Sequence, residues 1–154
     1  MNKGKIYIRD GRAPVPDNEL VSRIMSSIKG KNTKPELEFR KALWRKNLRG
    51  YRIHSKKVPG SPDIIYSKIK LAIFINGCFW HRCPHCFPPI PKSHTDFWLQ
   101  KFQMNIERDK IKITQLEDAG WITMTVWECQ IKQNIDVYID KVNTYFRTLK
   151  IFKM

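Results

Sequence analysis

Apolar residues recur at helical spacing in several stretches of the chain, with short strand-like runs between them. In LVSRIMSSI the period predicts a helix that Asp17 caps and Gly30 ends. The basic turn KGKNTKPE leads into a second helix, where Thr33 and Glu36 stand at capping-box spacing. Leu37, Phe39, Ala42, Leu43 and Trp44 supply its apolar face, and it fades near Asn47. YRIH (Tyr51–His54) is strand-like, and the Pro and Gly of VPGSPD make a turn. DIIYS and KLAIFIN then read as a hairpin, the second strand apolar on both faces as in the centre of a covered sheet. A cysteine-rich loop follows, closed by FPPIPKS. Thr95 is expected to cap a long helix from Asp96 to about Ala119, with Gly120 just beyond its end. WITMTVWEC (Trp121–Cys129) is rich in β-branched and aromatic residues and reads as a strand. Asn134 to about Leu149 is an amphipathic helix. This order of elements predicts an α/β layered domain with a mixed sheet.

The length of 154 residues suits one domain, 17–154, preceded by a flexible basic arm over 1–16. Charge changes the picture more. With 29 Lys+Arg against 14 Asp+Glu, the net charge of +15 points to a polyanionic partner, because cations that neutralise phosphates release condensed counterions. A merely solvated basic surface is the plainer alternative. No apolar run approaches the roughly 18 residues of a membrane span, so no membrane partner is expected. The first residues, MNKGKIYIRDGR, lack the apolar centre of a signal peptide, and a cytoplasmic location is expected. In that compartment cysteines are metal ligands or reduced thiols rather than disulfides.

Cys78, Cys83 and Cys86 form a C-x4-C-x2-C run, and Cys129 stands at the end of a predicted strand far downstream. Four thiolates satisfy a tetrahedral structural Zn²⁺ site, and the distant ligand would pin the loop to the sheet. His85 competes with Cys86 for the third position, and buried thiols without metal are the simpler reading. A closed site of this kind has no open position for chemistry.

A second set of residues has catalytic character. Asp63 lies between a proline-containing turn and a strand, where a nuclease presents a carboxylate to Mg²⁺. It is equally readable as a turn residue. His81 is the best general acid/base in the chain, and Asp109 in NIERD would orient it. Taken singly, His81 is also a possible zinc ligand and Asp109 a solvated helix charge. Glu36 is already explained by its capping position.

PGSPD, IFINGCFWH, FWLQKFQMNIERD and GW followed by VWEC occur in that order, and over Met25 to Cys129 the chain resembles the very-short-patch-repair DNA mismatch endonucleases. The resemblance implies a restriction-endonuclease-like core, a mixed sheet flanked by helices. It implies nicking 5′ to the T of a T:G mismatch left by deamination of 5-methylcytosine, in double-stranded DNA. By the same resemblance Asp63 binds Mg²⁺ with the backbone carbonyl of Ile75, His81 is the catalytic histidine with Asp109 its partner, and Glu36 is an accessory carboxylate. Phe79, Trp80 and Trp98 would wedge into the duplex, and Cys78, Cys83 and Cys129 match zinc positions. A bacterial, nucleoid-associated monomer working with other DNA repair proteins is the expected setting.

The chain also departs from the pattern. KLAIFIN lacks the E-x-K of the wider nuclease superfamily, and Asn76 stands where some relatives have histidine. An ungapped comparison puts His85 at the third zinc position, whereas C-x2-C spacing favours Cys86, which is adopted here. Two other functions fit the same features: a non-catalytic zinc-bearing DNA-binding module, and a homing or restriction-type nuclease cutting both strands.

Overall fold

The computed structural model describes residue 16 and residues 18–152. The expected arm over 1–16 therefore lies, but for Pro16, outside the described residues, as does the cap assigned to Asp17. The helices are α1 (Glu19–Ser27), α2 (Lys34–Arg45), α3 (Cys78–His81), α4 (Thr95–Asp118) and α5 (Glu128–Phe152). The strands are β1 (Arg52–Ile53), β2 (Ile64–Tyr66), β3 (Leu71–Asn76) and β4 (Ile122–Trp127). Among the described residues no helix is long and apolar enough to cross a membrane.

The strands form one mixed sheet in the order β1-β2-β3-β4. The predicted hairpin is present, with Ile64 opposite Ile73 and Tyr66 opposite Leu71 in antiparallel register. β4 returns parallel to β3, Asn76 beside Trp127, after the crossover that α4 supplies, as parallel pairing requires. Every residue of β3 is buried because both faces of the sheet are covered. Leu71, Ile73 and Ile75 pack with Phe39 and Leu43 of α2 and with Ile131, Ile139 and Val142 of α5. Ala72 and Phe74 point the other way, onto Leu116 of α4. The period-2 alternation of an extended strand thus divides one apolar run between two cores.

Several boundaries differ from expectation for local reasons. Asn18 caps α1, its side chain accepting from the Val21 N–H at 2.9 Å, and the helix ends at Ser27, before Gly30. α1 buries none of its residues. At α2 the capping box is altered: Glu36 accepts from the Asn32 N–H (2.9 Å) and from the Thr33 hydroxyl (3.0 Å), and Thr33 makes no side-chain cap bond. Phe39, Ala42 and Leu43 are buried as predicted, but Leu37 and Trp44 are exposed. Trp44 lies instead beneath the Arg49 guanidinium, 4.1 Å from its ring centre. Thr95 is the first residue of α4 rather than its cap, its hydroxyl donating to the carbonyls of Pro91 and Lys92. β1 is shorter than Tyr51–His54. Cys129 belongs to the first turn of α5 rather than to a strand, and α5 is broken at Asn134, where the predicted terminal helix was to begin.

Candidate active site and metal centres

The carboxyl ends of the parallel pair β3–β4 open into a cleft of about 620 Å³, lined among others by Glu36, Asp63, Ile75, Asn76, His81 and Asp109. The mouth of an α/β sheet at this end of its strands is a common place for a site. Five elements converge there because the sheet order brings the start of β2 beside the end of β3.

Asp63 stands immediately before β2, after Pro62, which is fully buried. Its Oδ2 accepts the Ile75 N–H at 2.7 Å, which fixes the carboxylate against the sheet. Burial raises its pKa from 3.8 to about 6. The Ile75 N–H opposes that rise, the charge of Glu36 adds to it, and His54 and His81 oppose it. A carboxylate held this way gains much from a nearby cation.

His81, the last residue of α3, directs Nδ1 at Asp109 Oδ2 of α4, 2.5 Å away. The pair is partly buried, with side-chain exposures of 30% and 22%. Nε2 is then the ring nitrogen not engaged by Asp109. The sequence therefore paired these two residues as the fold does, and both line the cleft with Asp63.

Glu36 is buried at 4% exposure yet reaches the same place. Its carboxylate, His54 and Asp63 offer ligand atoms that all lie within 4.8 Å of one another. His54 is the residue that sequence reasoning missed, having been read only as the end of a strand. The signal was in the register. Ile53 pairs with Ile64, and the ladder continues through the His54 N–H to the Asp63 carbonyl at 3.1 Å. Lys112, one turn beyond Asp109 on α4, also lines the cleft and was not anticipated.

The aromatic side chains next to His81 do not stand free. Phe79 meets Trp80, Trp98 and Phe102 edge-on, with ring centres 5.1–5.5 Å apart. Phe79 and Trp80 are half-buried, while Trp98 is buried at 9% exposure. Asn105 of α4 donates to the Trp80 carbonyl at 2.9 Å, and Arg82 lies 4.5 Å from the ring centre of Phe102. The cluster is a braced platform at one side of the cleft.

Behind it, the thiol sulfurs of Cys78, Cys83, Cys86 and Cys129 also lie within 4.8 Å of one another. Cys83 and Cys129 are 3.6 Å apart, far from the roughly 2.05 Å of a disulfide. That separation is near the roughly 3.8 Å between thiolates sharing a tetrahedral zinc at about 2.3 Å. Backbone N–H groups of His85 and Cys129 donate to Cys83 and Cys78. Burial pushes the Cys78 and Cys129 thiols up. At Cys83 burial acts the same way, but the N–H groups of His85 and Cys86, together with the side chains of Cys129 and Cys86, lower the thiol overall. His85 is outside the group, its ring edge-on to Trp127 with centres 6.5 Å apart. The cluster therefore contains Cys86, as its spacing suggested.

Comparison with known proteins identifies the family. The pattern defining the family "DNA mismatch endonuclease Vsr" matches residues 14–86. The chain is 44% identical over 131 residues to the type II nicking enzyme V.NmeAIP of Neisseria meningitidis serogroup A, covering 84% of this chain and 91% of that protein. It is 37% identical to the type II nicking enzyme V.XorIIP of Xanthomonas oryzae pv. oryzae, over 70% of this chain and 79% of that protein. It is 35% identical to the DNA mismatch endonuclease Vsr of Escherichia coli K12, over 78% of this chain and 76% of that protein. Identity of this extent, over most of both chains, makes the protein a member of the Vsr family of DNA mismatch endonucleases.

Proposed function

We infer that the protein is a strand-specific nickase that cuts 5′ to the T of a T:G mismatch, using Mg²⁺ for phosphodiester hydrolysis. The observation that carries this reading is the convergence of Asp63 and the His81–Asp109 pair on one cleft. Asp63 and the Ile75 carbonyl hold the ion, with Glu36 as the accessory carboxylate. The raised pKa of Asp63 supports that role, since a divalent cation would relieve the cost of ionising a buried carboxyl. Bound there, Mg²⁺ offsets charge on the phosphate and makes water more acidic.

The remaining work belongs to side chains. His81 takes a proton from the attacking water through Nε2, and Asp109 fixes the tautomer and ring orientation through Nδ1. Phe79 and Trp80 enter the base stack, backed by the more buried Trp98. Unstacking costs a few kcal/mol per step and least at a mismatch, so the wedge itself favours mismatched duplex. A structural Zn²⁺ held by Cys78, Cys83, Cys86 and Cys129 anchors the loop that carries both wedge and histidine. The fit of the thiol spacing to a tetrahedral ion supports this. The core is of the restriction-endonuclease-like type, one domain over 17–154 with a basic arm before it. The net charge of +15 supplies affinity for the backbone without reading sequence.

An end-labelled duplex with one T:G pair, compared with the same duplex carrying C:G, tests this reading. Cutting of the T strand alone, only at T:G and only with Mg²⁺, is expected. Cutting of both strands would favour a restriction-type nuclease. Tight, salt-sensitive binding without cutting under any divalent ion would favour a non-catalytic module.

A further inference from the structure

His54 stands beside Glu36 and Asp63 but has no part in the proposed mechanism. It closes the β1–β2 ladder, with φ +46° and its N–H on the Asp63 carbonyl. Such a backbone conformation is uncommon for a side chain larger than glycine and persists where the surroundings fix it. The ring is thereby turned inward, at 14% side-chain exposure.

Its Nε2 is fully buried and has no hydrogen-bond partner among the described residues. Glu36 Oε2 is 3.5 Å away, longer than the roughly 2.7–3.2 Å of an N–H···O bond. Both Glu36 oxygens already accept elsewhere, from Asn32 and Thr33. A buried polar atom left in this state beside two carboxylates calls for a partner. The three ligand atoms lie within 4.8 Å of one another, close enough for one ion to meet all of them.

We propose that His54 Nε2 is a ligand to the divalent cation held by Asp63 and Glu36, which makes the site a mixed oxygen–nitrogen one. This rests on the reading of Asp63 as cation-binding. The consequence is selectivity. Mg²⁺ and Ca²⁺ are hard ions that gain little from imidazole, whereas transition ions gain more. The site therefore takes Mn²⁺ in preference to Mg²⁺ to a degree that two carboxylates alone would not produce.

The test uses the zinc-loaded full chain without DNA and Mn²⁺ alone as probe, since the thiolates are then occupied. Electron spin-echo modulation of bound Mn²⁺ reports nitrogen in the coordination sphere. ¹⁴N modulation is expected in the wild type and in His81→Gln, and its loss in His54→Gln, with Mn²⁺ affinity falling about tenfold and Mg²⁺ affinity falling less. Wild-type protein labelled with ¹⁵N-histidine should show ¹⁵N in place of ¹⁴N coupling, so the assignment does not hang on how a His54 variant folds. Mn²⁺ that binds, is displaced by Asp63→Asn and shows no nitrogen coupling would overturn the role of His54 and leave Asp63 as a cation ligand. Nitrogen coupling lost in His81→Gln but kept in His54→Gln would overturn it too. No uptake of Mn²⁺ at all would overturn both readings together.

Discussion

His81 and Asp109 are 28 residues apart in the chain and meet Nδ1 to Oδ2 at 2.5 Å, tying α3 to α4 across the cleft. If this contact holds the imidazole for proton transfer, the two residues act as a unit. His81→Ala should slow single-turnover nicking by about 10²–10⁴-fold. Asp109→Asn should slow it less, and the double variant should be no slower than His81→Ala alone. Additive losses in rapid-quench experiments would contradict the coupling.

Asp63 gives a pH signature in Mg²⁺-free buffer. Its folded-state pKa of about 6 lies above the ordinary 3.8, because burial disfavours the charge. Over that window the folded protein binds the proton more tightly than the unfolded chain. The stabilisation is present below about pH 4 and is lost as pH rises through about 6. At neutral pH the ionised carboxylate thus costs on the order of 3 kcal/mol. Asp63→Asn, which can still accept the Ile75 N–H, should raise Tm at pH 7.5 while abolishing nicking. The gain in Tm should shrink towards pH 4, and a gain independent of pH would refute this account.

Zinc content should separate Cys86 from His85. Cys83→Ser and Cys86→Ser are expected to lose the ion, and Cys83→Ser, the buried position, should cost more stability. Each kcal/mol lost should lower Tm by about 3 °C for a chain of this length. His85→Ala should keep one zinc per chain by metal analysis. A zinc-free, fully stable Cys83→Ser protein would argue for a thiol cluster without metal.

Gly60 has φ +74°, and a Cβ built there would lie 2.9 Å from Lys112 Cβ, near the root of that side chain on α4. Gly60→Ala therefore combines a left-handed backbone penalty of about 1–2 kcal/mol with a contact that only backbone movement relieves. The turn carries Pro62 and Asp63, so nicking should fall along with Tm. Thermal melts and single-turnover rates on the same preparation measure both, and an unchanged pair would show that the turn tolerates the methyl.

Much of this protein was legible locally. Helical periodicity marked the helices and short apolar runs the β2–β3 hairpin, because those signals act over a few residues. The caps shifted: Asn18 caps α1 and Thr95 is the first residue of α4. KLAIFIN, apolar on both faces, announced a strand covered on both sides, and β3 is buried along its whole length. Cysteine spacing singled out Cys86, whose sulfur lies in the four-thiol group. The PGSPD, GCFWH and VWEC segments carried the family resemblance in order. Tertiary structure alone decided which side chains meet. Trp44 and Leu37 fit an apolar helix face but lie outside, since the α2–sheet contact is narrower than the face the pattern allowed. Trp98 is buried by a cluster assembled from α3 and α4, a packing that no local period encodes. Glu36, explained in sequence by its cap, is drawn into the cleft, and His54 faces Asp63 only because β1 pairs with β2 in one register. Strand register and helix docking are non-local balances of packing, and the candidate cation site depends on both.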